Sequence, residues 1–355
     1  MGGVTLRLDG TRWREHLRAV AAATPGMVPV VKGHGYGFGL VRLAAECRRL
    51  GLGTIAVGMA SEVAVVRDVF GGDVVVLQPY EPGDGGLAHT LTSDPRVVTT
   101  VSRLDDLRGL ATGGTRPRVL VEVLTSMRRH GLAPDELAAA APLLEAVTFE
   151  GWTIHLPLRE EDRGTEARRL ARAALDAAPG PLWLSHLPAD DVRRLSADLG
   201  GADGPVPVRA RVGTRLWLGD AGGRRTTATV LDVHRVGRGE RAGYRGRVVP
   251  GAGWVVVVAG GTSHGVGLEA PSSASTWRQR ATALATGSLE ATGRALSPFT
   301  IDGRKRWFLE PPHMQSSLVF LPASATPPAV GDEVPVELRL TIATPDAVVL
   351  GERPA

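Results

Sequence analysis

Eight short apolar runs, set apart by segments of helical spacing, fill the first 220 residues and restrict what this chain can fold into. They are 27–32 (MVPVVK), 54–59 (TIAVGM), 73–79 (DVVVLQP), 97–101 (VVTTV), 118–124 (RVLVEVL), 148–156 (TFEGWTIHL), 181–187 (PLWLSHL) and 206–214 (VPVRARVGT). Each is nearly continuous in apolar and β-branched residues instead of alternating, as expected of a strand covered on both faces. Between most of them lie Ala-, Leu- and Arg-rich segments such as "DRGTEARRLARAALDAAPG", apolar at helical intervals. Eight strand–helix units predict an α/β fold, a (β/α)8 TIM-type barrel; an open doubly wound sheet has the same periodicity and is the alternative. The barrel is expected over 1–222. From 223 to 355 the texture changes to runs such as "TATVLDVHRVG", "GAGWVVVVAGG" and "SSLVFLPAS", punctuated by Gly and Pro. That predicts a smaller, mostly antiparallel β domain, interrupted by a helical pattern at 276–295.

Composition removes several classes of function. Acids are interspersed with bases, the net charge is only +4, and no Lys/Arg block carries interleaved aromatics, which argues against nucleic acid as a partner. No run reaches 18 consecutive apolar residues, so neither a membrane span nor a membrane partner is expected, and the chain reads as cytoplasmic. A single cysteine, Cys47, excludes an intramolecular disulfide and any metal site built on several cysteines.

One residue type is scarce enough to be informative. Lys32 and Lys305 are the only lysines among 41 Lys and Arg residues. Lys32 ends the first apolar run, before four glycines in the next seven residues, at the C-terminal mouth where barrels place their chemistry. An amine partly desolvated there has a lowered pKa and can form a Schiff base with an aldehyde, which arginine cannot do.

The segment "VVKGHGYGFGL" resembles the cofactor-lysine motif of the alanine racemase family, the fold-type III pyridoxal-phosphate enzymes. The resemblance implies pyridoxal 5'-phosphate as cofactor, carried by Lys32, with Tyr36 at the phosphate. It also implies an amino acid, a small molecule, as substrate and a homodimer with shared active sites. "VLVEVLTSMRRHGL" resembles the family's Met-x-Arg-x-Gly segment, with Met127, Arg129 and Gly131 in step. Arg129 is then the arginine near the substrate carboxylate, which a planar guanidinium can grip with two bonds. Glu122 stands where many racemases carry a modified, negatively charged lysine that orients this arginine. "GWTIHL" makes His155 the ring-stacking histidine, and "LWLSHL" offers Ser185 or His186 to the phosphate. "VRARVGT" places Arg211 at the pyridine nitrogen, with Arg209 as its competitor, and the amides of Gly213 and Thr214 on the phosphate.

The likeness breaks in the β domain. The family's second base is a tyrosine in a Gly-Tyr-x-Asp-Gly segment; "VVVVAGGTSHGVG" has Gly261 at that place. Tyr244 matches a different, non-catalytic tyrosine, and none follows it. His264 is the candidate replacement, with His313 a second one and Met314 matching a cofactor-site methionine. A racemase or epimerase with a substituted base is therefore expected. The alternatives are a lyase or decarboxylase on the same scaffold, or a non-catalytic cofactor carrier.

Overall fold

The computed structural model describes residues 2–83, 85–158, 162–202, 204–268 and 295–351; the helical pattern at 276–295 falls almost wholly outside them. The chain divides into two compact units. One is Glu15–Gly35 with Gly39–Gly219; the other is Met1–Arg14, Tyr36–Phe38 and Asp220–Ala355. Strand β1 (Val4–Asp9) belongs to the second unit, and the next eight strands build the first.

These eight are β2 (Val28–Pro29), β3 (Thr54–Val57), β4 (Asp73–Pro79), β5 (Val97–Val101), β6 (Arg118–Val123), β7 (Thr148–His155), β8 (Leu182–Ser185) and β9 (Val208–Val212). All pair in parallel, in the order β2-β9-β8-β7-β6-β5-β4-β3. The ends of that row meet in a bridge between Val30 and Ala56, so the expected barrel is nearly closed. Val30 donates to Val212 at 2.8 Å on one side, and Val31 donates to Ala56 at 2.6 Å on the other. Proline has no N–H for a ladder, so Pro29 donates to neither neighbour and the seam is carried by Val30 and Val31. The interior is filled by Val28, Val30, Ala56, Val75, Val98, Leu120 and Trp183, and a larger apolar shell lies between strands and helices. Strands β3 and β5 are buried along their whole length, the burial their unbroken apolar sequence requires.

The second unit is a mostly antiparallel sheet. Its strands are β1, β10 (Arg224–Val236), β11 (Arg241–Ala242), β12 (Arg247–Val248), β13 (Gly253–Ala259), β14 (Leu296–Ile301), β15 (Arg304–Phe308), β16 (Ser316–Pro322), β17 (Glu333–Pro335) and β18 (Ala347–Gly351). The main path runs β14-β15-β16-β13-β10-β1-β18, with β17 beside β10 and β11 paired only with β12. Here the strands alternate: Val4, Leu6 and Leu8 of β1 point inward while Thr5, Arg7 and Asp9 are partly exposed. Val4 packs with Ala228, Val256, Phe299 and Val319 in the core of this unit.

Candidate active site

The parallel register places three of the expected residues in one row. His155 is level with Ser185, and Ser185 with Arg211, on the neighbouring strands β7, β8 and β9. Ser185 Oγ lies 2.7 Å from His155 Nδ1, and Arg211 Nη2 lies 3.5 Å from the same nitrogen. A guanidinium only donates, so Nδ1 is an acceptor and the neutral ring carries its proton on Nε2. Register also separates the two arginines of β9. Arg209 stacks on Trp183 at 4.4 Å and donates to Thr54 Oγ1 at 2.9 Å, at the opposite ends of the strands, so it is Arg211 that joins the row at the mouth.

Lys32 follows β2, and Arg129 lies in the loop after β6. That loop folds back on its own strand: Leu132 donates to Glu122 O, and Leu124 to Leu132 O, both at 2.8 Å. Gly131 is required there, because its φ is +122° and a Cβ would stand 2.5 Å from Leu124 N. The fold-back holds Arg129 Nη2 4.0 Å from Glu122 Oε1, a charge pair without a direct hydrogen bond. Glu122 is buried, and Ser102 Oγ donates to its other oxygen at 2.8 Å. Arg128 (φ +49°) and His186 (φ +62°) hold left-handed backbone after their strands, as does Tyr36 (φ +54°), a conformation rare outside glycine and concentrated at functional sites. Tyr36 is buried, which pushes its phenol up to about 12. Gly213 and Thr214 open a short helix, Thr214–Leu218, tied back by Trp217 Nε1 donating to Val30 O at 2.8 Å.

The mouth carries an excess of positive charge. Desolvation lowers the Lys32 amine from its ordinary value, Arg129 and Arg211 lower it further, and Glu62 opposes them. Burial, then Arg211, Arg129, His186 and Lys32, hold His155 down to about 2, and His186 is lowered mainly by burial. Arg211 is lowered by burial to about 10, partly offset by Glu122, and so stays a cation at neutral pH. Its buried Nε has no hydrogen-bond partner among the described residues. A buried donor left unsatisfied costs about 1–3 kcal/mol. Unspent donor and unneutralised charge together fit a group that brings both an acceptor and negative charge, as a phosphorylated pyridine does.

In the β unit, Gly261 has φ −145°, which any residue adopts, so its glycine is there for space. A Cβ would overlap the carbonyl oxygen of His313 and stand 2.6 Å from that of Met314. His264 is buried with both ring nitrogens engaged. Nδ1 accepts from Gly261 N at 3.2 Å, and Nε2 faces both Asp346 oxygens at 3.1 Å. His313 Nε2 lies 2.7 Å from Glu310 Oε1, while Met314 and Tyr244 stand exposed.

Residues 8–184 match the family profile described as alanine racemase, N-terminal domain. The catabolic alanine racemase of Mesorhizobium japonicum is 30% identical over 270 residues, 68% of this chain and 66% of that protein. The chain belongs to the alanine racemase family. The alanine racemase of Desulfovibrio desulfuricans is 28% identical over 43% of each chain, so this chain matches just under two thirds of the first relative and less than half of the second. Two solved structures share the fold. Alanine racemase from E. faecalis has a TM-score of 0.67 at 19% identity, covering 94% of this chain and 88% of that one. Alanine racemase from Bartonella henselae, with covalently bound pyridoxal phosphate, has a TM-score of 0.68 at 15% identity, covering 95% and 91%. Among the described residues no helix is long and apolar enough to cross a membrane.

Sequence reasoning missed two carboxylate contacts that the alanine racemase scaffold places at this mouth. Ser102, at the end of β5, bonds Glu122, and Glu62, in the helix Ser61–Arg67, bonds the backbone next to Lys32. The one local signal was an acid in the first turn of a helix that follows a barrel strand.

His155 gives a direct check of the electrostatics. In the cofactor-free protein its ring is expected to stay neutral from pH 8 to about 4, read from 15N imidazole shifts. The folded value lies below the ordinary 6.5, so this group's stability contribution is full above pH 6.5 and is lost as pH falls below it. A ring titrating between pH 5 and 7 would contradict the cluster described.

Proposed function

We propose that the chain is a pyridoxal-phosphate-dependent amino-acid racemase of divergent alanine racemase type, working at the substrate's α-carbon. The observation that carries this is Arg211: a buried guanidinium with an unpartnered Nε, beside a histidine held neutral. Family membership and the covalently bound pyridoxal phosphate of the Bartonella relative support the same reading. When bound, the cofactor supplies an aldehyde for the substrate amine and a ring that withdraws electrons from the α-carbon.

The chain's own residues do the rest. Lys32, its amine lowered from the ordinary lysine value by burial, would hold the cofactor and move a proton at the α-carbon. Arg129, steadied by Glu122, binds the substrate carboxylate. His155 presents a neutral ring to the pyridine, fixed by Ser185, and Gly213 and Thr214 offer amides to the phosphate. Arg211 would be the partner of the ring nitrogen and, as a guanidinium, would keep its own proton instead of sharing one as an acidic partner would. A homodimer is part of the proposal, and light scattering at twice 37.3 kDa is its check.

The engaged ring of His264 argues against the second-base role expected of it. With Gly261 unable to carry a side chain, this favours a second reading, one-base lyase chemistry such as elimination or retro-aldol cleavage, or else decarboxylation. Incubation in deuterated water with single-enantiomer amino acids, following α-deuterium and chirality together, decides between them. Interconversion of both enantiomers with exchange is the expected result. Exchange confined to one enantiomer selects the one-base reading, and no exchange with any substrate, with the cofactor retained, points to decarboxylation or cofactor carriage.

A further inference from the structure

Glu62 stands at the start of the helix that follows β3, and its carboxylate is buried. It accepts three backbone N–H bonds: from Gly58 at 2.6 Å and Met59 at 3.2 Å on Oε2, and from Gly33 at 2.7 Å on Oε1. The first two close the turn into its own helix, a role any N-terminal acid can fill. The third reaches another strand end, to the residue that follows Lys32. A capping role does not require it.

That third bond completes the fixation of one peptide unit. The Lys32 carbonyl accepts from Gly35 N at 3.0 Å, and the Gly33 N–H of the same peptide donates to Glu62. Gly33 has φ +61° with open space where a Cβ would be, so glycine is there for the left-handed turn. Gly58 has the opposite reason. A Cβ on it would meet Lys32 Cβ at 3.1 Å and Glu62 Oε2 at 3.2 Å, so its missing side chain leaves room for the root of the lysine against the carboxylate. Around the Lys32 amine the facing groups among the described residues are Arg129, Arg211, His155 and His186 on the positive or neutral side, and Glu62 as the acid.

We propose that Glu62 is the positioning residue of Lys32, fixing the peptide that carries it and supplying the negative charge that offsets the two arginines. The proposal rests on Lys32 being the reactive amine. The test exploits a chain with only two lysines. Reductive 13C-dimethylation of the full, cofactor-free protein gives separate NMR signals for Lys32 and for Lys305, an internal control paired with Glu337. Lys32 is expected to titrate below the ordinary lysine value in the wild type. In Glu62→Gln it falls further by roughly one pH unit, about tenfold less protonated at a given pH. In Glu62→Asp, where the charge is kept but one methylene shorter, it falls by less, while Lys305 is unmoved in both. Purely structural capping predicts a lower melting temperature with Lys32 titrating where it does in the wild type. That result in either folded variant, or a chain that folds with neither, overturns the proposal. The measurement needs no cofactor, so a wild type that never holds pyridoxal phosphate sinks the functional reading separately.

Discussion

Lys32→Ala is expected to abolish the visible absorption band of the cofactor-supplemented protein and to lower turnover on the order of 10³-fold or more. In the proposed reaction the residue both holds the cofactor and moves the proton, so no remaining side chain would take over either task. Lys32→Arg is expected to fail equally, because a guanidinium stays protonated and is no nucleophile at neutral pH. That failure would explain why an Arg-rich chain keeps an amine here. Lys305→Arg is the control. Lys305 pairs with Glu337 at 2.6 Å on the surface, and replacing it should leave band and turnover unchanged. Lys32 is not among the residues that fill the barrel interior, so its truncation leaves that core intact and the protein folded. A Lys32→Ala protein that still shows the band would remove the lysine from the site and with it the proposed function.

The barrel was legible because two-sided burial writes itself into sequence as unbroken apolar runs, and β3, β5 and β6 are the clearest cases. The closing seam was not. Only two residues of the first run pair regularly, and the ring is completed by single bonds from Val30 and Val31. Strand β1 escaped notice for a related reason. Its six residues alternate, but its partners β10 and β18 lie at least 215 positions away, so nothing nearby marks the pairing.

Candidate residues whose chemistry would be carried by their own side chain could be picked out in the sequence: Lys32, Arg129, His155, Ser185 and Arg211. The resemblance chose Arg211 over Arg209, and the register of β8 and β9 adds a physical reason that a two-residue spacing on one strand face cannot supply. Glu62 was invisible because its partners are backbone N–H groups, identical in every residue but proline. Its link to Gly33 spans 29 positions with no side-chain counterpart to read. His264 failed in the opposite way. Its residue type suits proton transfer, yet the bonds to Gly261 and Asp346 that occupy the ring are set only by the fold.

Gly261→Tyr, the substitution that would rewrite the family's second base into this chain, is expected to damage the β unit instead of restoring it. The obstacle is backbone. A Cβ at 261 overlaps the His313 carbonyl oxygen, and that strand cannot simply yield, because Thr262 N donates to the same oxygen at 2.8 Å and Gly260 N to Gln315 O at 2.8 Å. Relieving the clash breaks these bonds and displaces the buried His264, at a cost of about 3 kcal/mol or more. A fall in the thermal midpoint of roughly 5–10 °C is the expected reading, with no gain in racemisation. A Gly261→Tyr protein as stable as the wild type and at least about tenfold faster at inversion would show that the segment opens to accept a ring and lacks nothing else. The expected outcome carries the opposite implication. The absent tyrosine is then a rebuilt β-unit segment and not a single lost side chain, and the reaction must draw its second proton from another group or manage with Lys32 alone. Interconversion of both enantiomers in deuterated water would mark the first case, and exchange limited to one enantiomer the second.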